Sequence, residues 1–199
     1  MRVLVLSSYA EPIAATFARE NDTVVVHEGE VDPAFLAANA IDMIVSYGYP
    51  RILKRDVVAA YEGRIVNLHI SLLPWNRGAD PNFWSFFDST PKGVTIHRID
   101  EGMDTGALLA QREMRFAAGE TLATSYEKLR RALEALFDET WHDIKDGRCE
   151  ARSQTGAGSY HRARDKEAIM QSLPNGWETP VADVVALGRR VRAGSGRGG

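Results

Sequence analysis

Only one cysteine, Cys149, occurs in 199 residues. A single thiol cannot close a disulfide within the chain, and it excludes a metal site built from several cysteines; no metal is expected. Such usage suits a reducing compartment, so the expected location is the cytoplasm. Long apolar runs are missing too: no stretch reaches the roughly 18 consecutive apolar residues of a membrane helix. The opening "MRVLVLSSYAEP" has one basic residue and too short an apolar segment for a secretory leader. Neither charge sign dominates, since 24 Lys and Arg stand against 27 Asp and Glu, for a net charge of −3. That balance offers no electrostatic footprint for nucleic acid or an anionic membrane. Finally, no G-x-G-x-x-G follows the first apolar run, which argues against a dinucleotide-dependent enzyme.

What is present fits a folded domain with a sizeable core, with 44% hydrophobic and 26% charged residues. "RVLVL" (2–6), "TVVVH" (23–27) and "DMIVSYG" (42–48) read as strands buried on both faces. Between them, "AEPIAATFAREN" (10–21) carries Ile13 and Phe17 at helical spacing. "DPAFLAAN" (32–39) begins with Asp32 as a cap and Pro33 in the first turn. Strand and helix alternate, which is the doubly wound α/β pattern.

Further on, "RDVVAAY" (55–61) reads as a short helix and "RIVNLHI" (64–70) as a fourth strand. "DPNFWSFFDS" (80–89) reads as a helix capped by Asp80. "GVTIHRI" (93–99) and "GALLAQREMRF" (106–116) are strand-like. The longest helical pattern puts Leu122, Tyr126, Leu129, Leu133, Leu136, Phe137 and Ile144 on one face and stops at Gly147. Residues 151–165 read as a surface loop, 166–192 as one or two short helices, and "AGSGRGG" (193–199) as a mobile tail.

The chemistry-bearing residues concentrate in "NLHISLLPWNRGADPNFW" (67–84). Residues i and i+2 of a strand share a face, so Asn67 and His69 point the same way. At the carboxyl end of a strand in an open α/β sheet they stand where such folds place ligands. In "IDEGMDTGALL" (99–109) Gly102 and Gly106 bracket Asp104, allowing a sharp turn that presents a carboxylate. An amide can donate to a developing oxyanion, an imidazole can move a proton, and a carboxylate can fix the imidazole's orientation. Taken singly, each motif also has a plainer reading, a turn-capping pair at a strand end and an acidic surface turn.

Four stretches in this order, "YGYPRILKRDVV", "GRIVNLHISLLPWNRG", "KGVTIHRIDEGMDTGALLAQ" and "ETLATSYEKL", resemble the folate-dependent formyltransferases. That superfamily includes the glycinamide ribonucleotide, methionyl-tRNA and amino-sugar enzymes. The match covers roughly residues 40 to 137. The resemblance implies an α/β, Rossmann-like fold with a mostly parallel central sheet flanked by helices and later strands antiparallel. It implies a catalytic domain over 1–150, with 151–192 packed on it as a loop and short helices.

It further implies that a formyl group passes from N10-formyltetrahydrofolate to a primary amine, with Asn67, His69 and Asp104 as the catalytic trio. Tyr49, Arg51, Ile52 and Leu53 would line the folate site on one side. Asp100, Gly102 and Met103 would form the facing wall, with His97 either structural or folate-lining.

The acceptor is less sharply implied. The position of the glycine-rich phosphate loop of glycinamide ribonucleotide enzymes reads "SSYAEP" (7–12), without glycine, which disfavours a phosphoribosyl acceptor. About 50 residues follow the catalytic region, whereas the methionyl-tRNA enzymes carry a further domain there. "PWNRGADPNFW" and "GSYHRARDKEAI" are closer to the sugar-nucleotide N-formyltransferases. Ser8, Tyr9, Trp75, Asn76, Arg77, Tyr160 and Arg162 are the expected acceptor contacts. A nucleotide-linked amino sugar is therefore the expected substrate. Glycinamide ribonucleotide, hydroxyornithine, a hydrolase or a folate-binding module stand as alternatives, and a homodimer is compatible with the sequence.

Overall fold

The computed structural model describes residues 1–195. Its strands are β1 (Arg2–Leu6), β2 (Thr23–His27), β3 (Met43–Tyr47), β4 (Ile65–His69), β5 (Arg77–Gly78), β6 (Gly93–Arg98), β7 (Leu108–Glu113) and β8 (Tyr160–His161). The helices are α1 (Glu11–Arg19), α2 (Pro33–Ala38), α3 (Arg55–Ala60), α4 (Pro81–Phe87), α5 (Leu122–Lys145), α6 (Ala163–Gln171) and α7 (Val181–Ser195). Six strands form one sheet in the order β2-β1-β3-β4-β6-β7, and β5 pairs with β8 separately. The first four of the six run parallel, while β6 is antiparallel to β4. This is the mixed, mostly parallel sheet implied by the sequence. No described helix is long and apolar enough to cross a membrane.

The chain divides into two compact units. The first comprises Met1–His69, Thr95–Gln111 and Leu133–Gln154; the second comprises Ile70–Val94, Arg112–Ala132 and the segment from Thr155 onward.

In the first unit, Leu4, Leu6, Ile44 and Ile65 from the strands meet Leu36, Val57 and Val58 from α2 and α3 in a dry core. Full burial of such side chains contributes about 1.5–3 kcal/mol each before entropy is counted. β1 and β3 are buried on both faces because helices cover both, which is why they read as unbroken apolar runs. Asp32 caps α2 as expected, its carboxylate accepting the Phe35 N–H at 2.7 Å.

In the second unit, Phe83, Trp84, Phe86 and Phe87 of α4 pack with Leu122, Val181 and Val184. Asn82 is buried at the same place and donates to the Leu122 carbonyl at 2.9 Å while accepting from Ser125 Oγ at 3.0 Å.

Three expectations need correction. β2 is not buried on both faces: it is an edge strand of the described sheet, where the covering layers thin out, and Val26 is 53% exposed. Asp80 stands before α4 in a left-handed conformation, φ 55° and ψ 42°, and makes no side-chain cap; its carboxylate is taken by Lys166 of α6. The segment read as a mobile tail begins inside α7, which continues to Ser195, and residues 196–199 lie outside the described part of the chain.

Candidate active site

Parallel pairing aligns β1, β3 and β4 so that all three finish at the same sheet edge. The residues that follow β1 and β3, together with the end of β4, supply Ser8, Tyr9, Tyr49, Arg51, Ile52, Leu53, Asn67 and His69 of the expected site, at the strand ends where open α/β sheets place ligands. All four central side chains belong to the first unit: Asn67 and His69 on β4, His97 on β6, and Asp104 in the β6–β7 connection.

Asp104 is the hub of this cluster. One of its carboxylate oxygens, Oδ1, lies 3.4 Å from Asn67 Nδ2 and 3.6 Å from His97 Nε2, and the other, Oδ2, lies 3.9 Å from His69 Nδ1. The side chains of His69, His97 and Asp104 are only 9%, 1% and 12% exposed, so their interactions are weakly screened. Asp104 sits at φ 53°, a left-handed conformation that Asp tolerates better than most residues. Its loop is braced from within: Asp100 Oδ1 accepts from the Gly102 N–H at 3.0 Å and from Thr105 Oγ at 2.7 Å. Gly106 is required by close approach, since a Cβ there would lie 1.9 Å from the Arg98 carbonyl oxygen.

His97 is buried directly across the strand pair from Asn67, and its Nδ1 lies 2.8 Å from the Arg98 carbonyl, to which it must donate. Nε2 is then the acceptor and faces Asn67 Nδ2 at 3.2 Å. This pairing fixes which way the Asn67 amide points. The two hydrogens of Nδ2 therefore differ. One goes to His97, and the other makes a long contact to Asp104 that a stronger acceptor can displace.

The segment after β3 offers a surface of another kind. Ile52 is 77% exposed, and Met103 in the Asp104 loop is 38% exposed; both are large apolar side chains left in solvent. Tyr49 donates its hydroxyl to the Gly29 carbonyl at 2.8 Å, and burial pushes its pKa up. Leu53 packs against the core. Arg51 lies 3.8 Å from Glu30, whose carboxyl is held low chiefly by a 2.9 Å hydrogen bond from Lys54. The residues present thus suit a flat, partly apolar ligand whose polar edge pairs with main chain, with Asp100 and Gly102 shaping the loop rather than offering side-chain contacts.

Among the expected acceptor contacts, Ser8 is exposed, and Tyr9 stands edge-on to Tyr47 with ring centroids 4.9 Å apart. Gly48, at φ +64°, lies directly under the Tyr9 ring, whose hydroxyl would sit 1.8 Å from a Cβ. Trp75, Asn76, Arg77, Tyr160 and Arg162 belong to the second unit. There Tyr160 is 49% exposed, Arg162 is exposed, and Trp75 and Arg77 are half-buried. Asn76 is fully buried. Its amide oxygen accepts from the Ser159 hydroxyl at 3.2 Å and its amide nitrogen donates to Thr90 Oγ at 2.8 Å. His161, beside Tyr160, stacks on Trp84 at 3.9 Å with its Nε2 2.8 Å from Asp88.

One residue with no signal of its own in the sequence reaches the Asp104 loop. Gln154 donates from Nε2 to the carbonyls of Asp104 at 2.7 Å and Gly106 at 2.9 Å.

Comparison with known proteins agrees with this geometry. Residues 4–140 match the formyl transferase family model. Methionyl-tRNA formyltransferase of Desulfotalea psychrophila is 34% identical over 156 residues, covering 76% of this chain and 46% of that protein. The dTDP-4-amino-4,6-dideoxyglucose formyltransferase of Mycobacterium tuberculosis is 32% identical over 129 residues, covering 64% of this chain and 54% of that protein. The chain thus spans about half the length of these curated relatives. Among solved structures, the formyltransferase PseJ of Anoxybacillus kamchatkensis is 40% identical with a TM-score of 0.90, over 94% of this chain and 100% of that one. PseJ was solved with UDP-4,6-dideoxy-4-formamido-L-AltNAc and tetrahydrofolate. With a family match over more than half of its length and a partly buried Asn-His-Asp cluster at the carboxyl end of its sheet, the chain belongs to the formyl transferase family.

Proposed function

We propose that this chain transfers a formyl group from N10-formyltetrahydrofolate to the amine of a nucleotide-linked amino sugar. The observation that carries the reading is the convergence of Asn67, His69 and Asp104 within 3.4–3.9 Å, in a setting that excludes most water. When bound, the folate supplies an activated formyl carbonyl and a nitrogen leaving group. The Asn67 hydrogen that touches Asp104 only weakly is the one to donate to an oxyanion at that carbonyl. His69 turns Nδ1 to Asp104, so Nε2, across the ring, is the atom that takes a proton from the attacking amine or returns one to the leaving nitrogen. Asp104 steadies the imidazolium while it carries that proton. Ile52 and Met103 provide apolar contact for the folate.

The PseJ likeness, which runs the whole length of that protein and whose complex holds a formamido sugar on UDP, supports the acceptor class. Within the first unit, Ser8 and Tyr9 are the acceptor contacts in this reading, and the cytoplasm is the expected setting. The test is formyl transfer from the folate donor to a panel of UDP- and dTDP-linked amino sugars, with glycinamide ribonucleotide as the comparison. Asn67→Ala, His69→Ala and Asp104→Asn should each lower kcat by roughly 10²–10⁴-fold. Donor turnover without any amine would instead mark a hydrolase, and three variants close to wild type would remove the trio from the chemistry.

A further inference from the structure

We propose that Gln154 is a positioning residue for Asp104, acting as a strut on the β6–β7 loop. This rests on the formyl-transfer reading above for its effect on turnover, though not for its effect on the loop.

The strut is assembled by backbone pairing from a distant part of the chain. Arg152 and Leu108 exchange both main-chain hydrogen bonds, at 2.8 and 2.9 Å, so residues 152–154 add a short antiparallel bridge to the start of β7. Two residues beyond that bridge, Gln154 meets the loop. Its single amide nitrogen donates to the carbonyls at 104 and 106, which flank the turn that presents the Asp104 carboxylate. Carbonyl oxygens accept and do not donate, so only the NH2 end of the amide satisfies both at once. The orientation is thereby fixed by chemistry.

Such a strut is needed because the loop stores strain. Asp104 holds φ 53°, and Gly106 approaches the Arg98 carbonyl closely enough to exclude any side chain. The braces inside the loop, from Asp100 to Gly102 and Thr105, order its outer part but none of them binds the carbonyls at 104 and 106. Without Gln154 the peptide after Asp104 is free to relax toward a commoner conformation, which turns the carboxylate away from Asn67, His69 and His97. Gln154 holds the main chain on either side of residue 105, so its contribution passes through the loop that presents Asp104.

Gln154→Ala and the isosteric Gln154→Glu, in the full chain, make the test. Both should lower kcat by at least roughly tenfold with the KM values for donor and acceptor within about threefold, as a misplaced catalytic group predicts. Amide hydrogen exchange over residues 99–106 should accelerate in both, with exchange in β1 and β3 unchanged. A Gln154→Glu variant with wild-type kcat would overturn the proposal, because the volume is kept while the donors are lost and a carboxylate that repels both carbonyls takes their place. Unaltered exchange in the loop would overturn it as well. Should the wild-type protein transfer formyl to no amine, the functional reading fails, and the exchange experiment alone still decides whether Gln154 holds the loop.

Discussion

At the scale of the residue, the site depends on which nitrogen of His97 carries the proton. Nδ1 donates to the Arg98 carbonyl and Nε2 accepts from Asn67, and both contacts are partly shielded from solvent. The two roles can be separated by substitution. Asn reproduces a donor near the Nδ1 position and Gln a polar atom near the Nε2 position. His97→Gln keeps an acceptor for Asn67 while losing the tie to Arg98, and His97→Asn does the reverse. If the Asn67 amide must be aimed by His97, His97→Gln retains more formyl-transfer turnover than His97→Asn, by roughly the tenfold that one aligned hydrogen bond of about 1–1.5 kcal/mol represents. Steady-state kcat for the two variants is the measurement, and equal values would show that the Nε2 contact contributes nothing to aim.

At the scale of the element, the β6–β7 connection shows how a loop is made rigid enough to hold a carboxylate. Gly106→Ala would push a Cβ to 1.9 Å from the Arg98 carbonyl oxygen, and a backbone atom cannot swing aside as a side chain can. Either the loop shifts or the pairing of Arg98 N–H with the Ala107 carbonyl, 2.9 Å, opens. The expected cost is about 2–3 kcal/mol in unfolding free energy, from overpacking and one broken hydrogen bond. Urea denaturation of Gly106→Ala against wild type checks it, with turnover expected to fall further than stability alone explains.

How much of this was legible depended on whether the cause was local. β1 and β3 declared themselves because burial on both faces demands unbroken branched and apolar residues. Asn67 and His69 could be placed on one face by strand periodicity alone, and Gly102 and Gly106 marked the turn around Asp104. The misreadings arise where partners come from far along the chain. β2 has the composition of a central strand, and only the strand order reveals it as an edge. Asp80 carries a good capping side chain, yet Lys166, 86 positions away, takes its carboxylate. His97 faces Asn67 through the antiparallel register of β6 on β4, which no local pattern encodes. Gln154, in a loop of small polar residues, carried no signal for the same reason.

At the scale of the whole molecule, the first unit is tied together by a buried carboxylate that sets its tolerance of acid. Asp22, just before β2, has a side chain with 0% exposure. It accepts from Trp141 Nε1 at 2.8 Å and pairs with Lys145 Nζ at 3.3 Å, both from the last turns of α5, and with the amino-terminal nitrogen at 3.0 Å. Burial works to raise its pKa, but those hydrogen bonds outweigh burial and leave it below the ordinary carboxylate value. A carboxyl depressed in the folded state contributes stability that is fully present above its unfolded value of about 4 and is lost as pH falls through the folded value. Asp22→Asn keeps the shape and removes the charge. At pH 7 it should cost about 2 kcal/mol, the order of one to two charge-assisted hydrogen bonds. As the pH drops below about 4 the wild-type carboxyl begins to lose the same advantage, so the gap between the two proteins should narrow. Urea unfolding at pH 7 and at pH 3 measures that gap directly. A gap of unchanged size at pH 3 would mean that the Asp22 charge is not what fastens α5 to the start of β2.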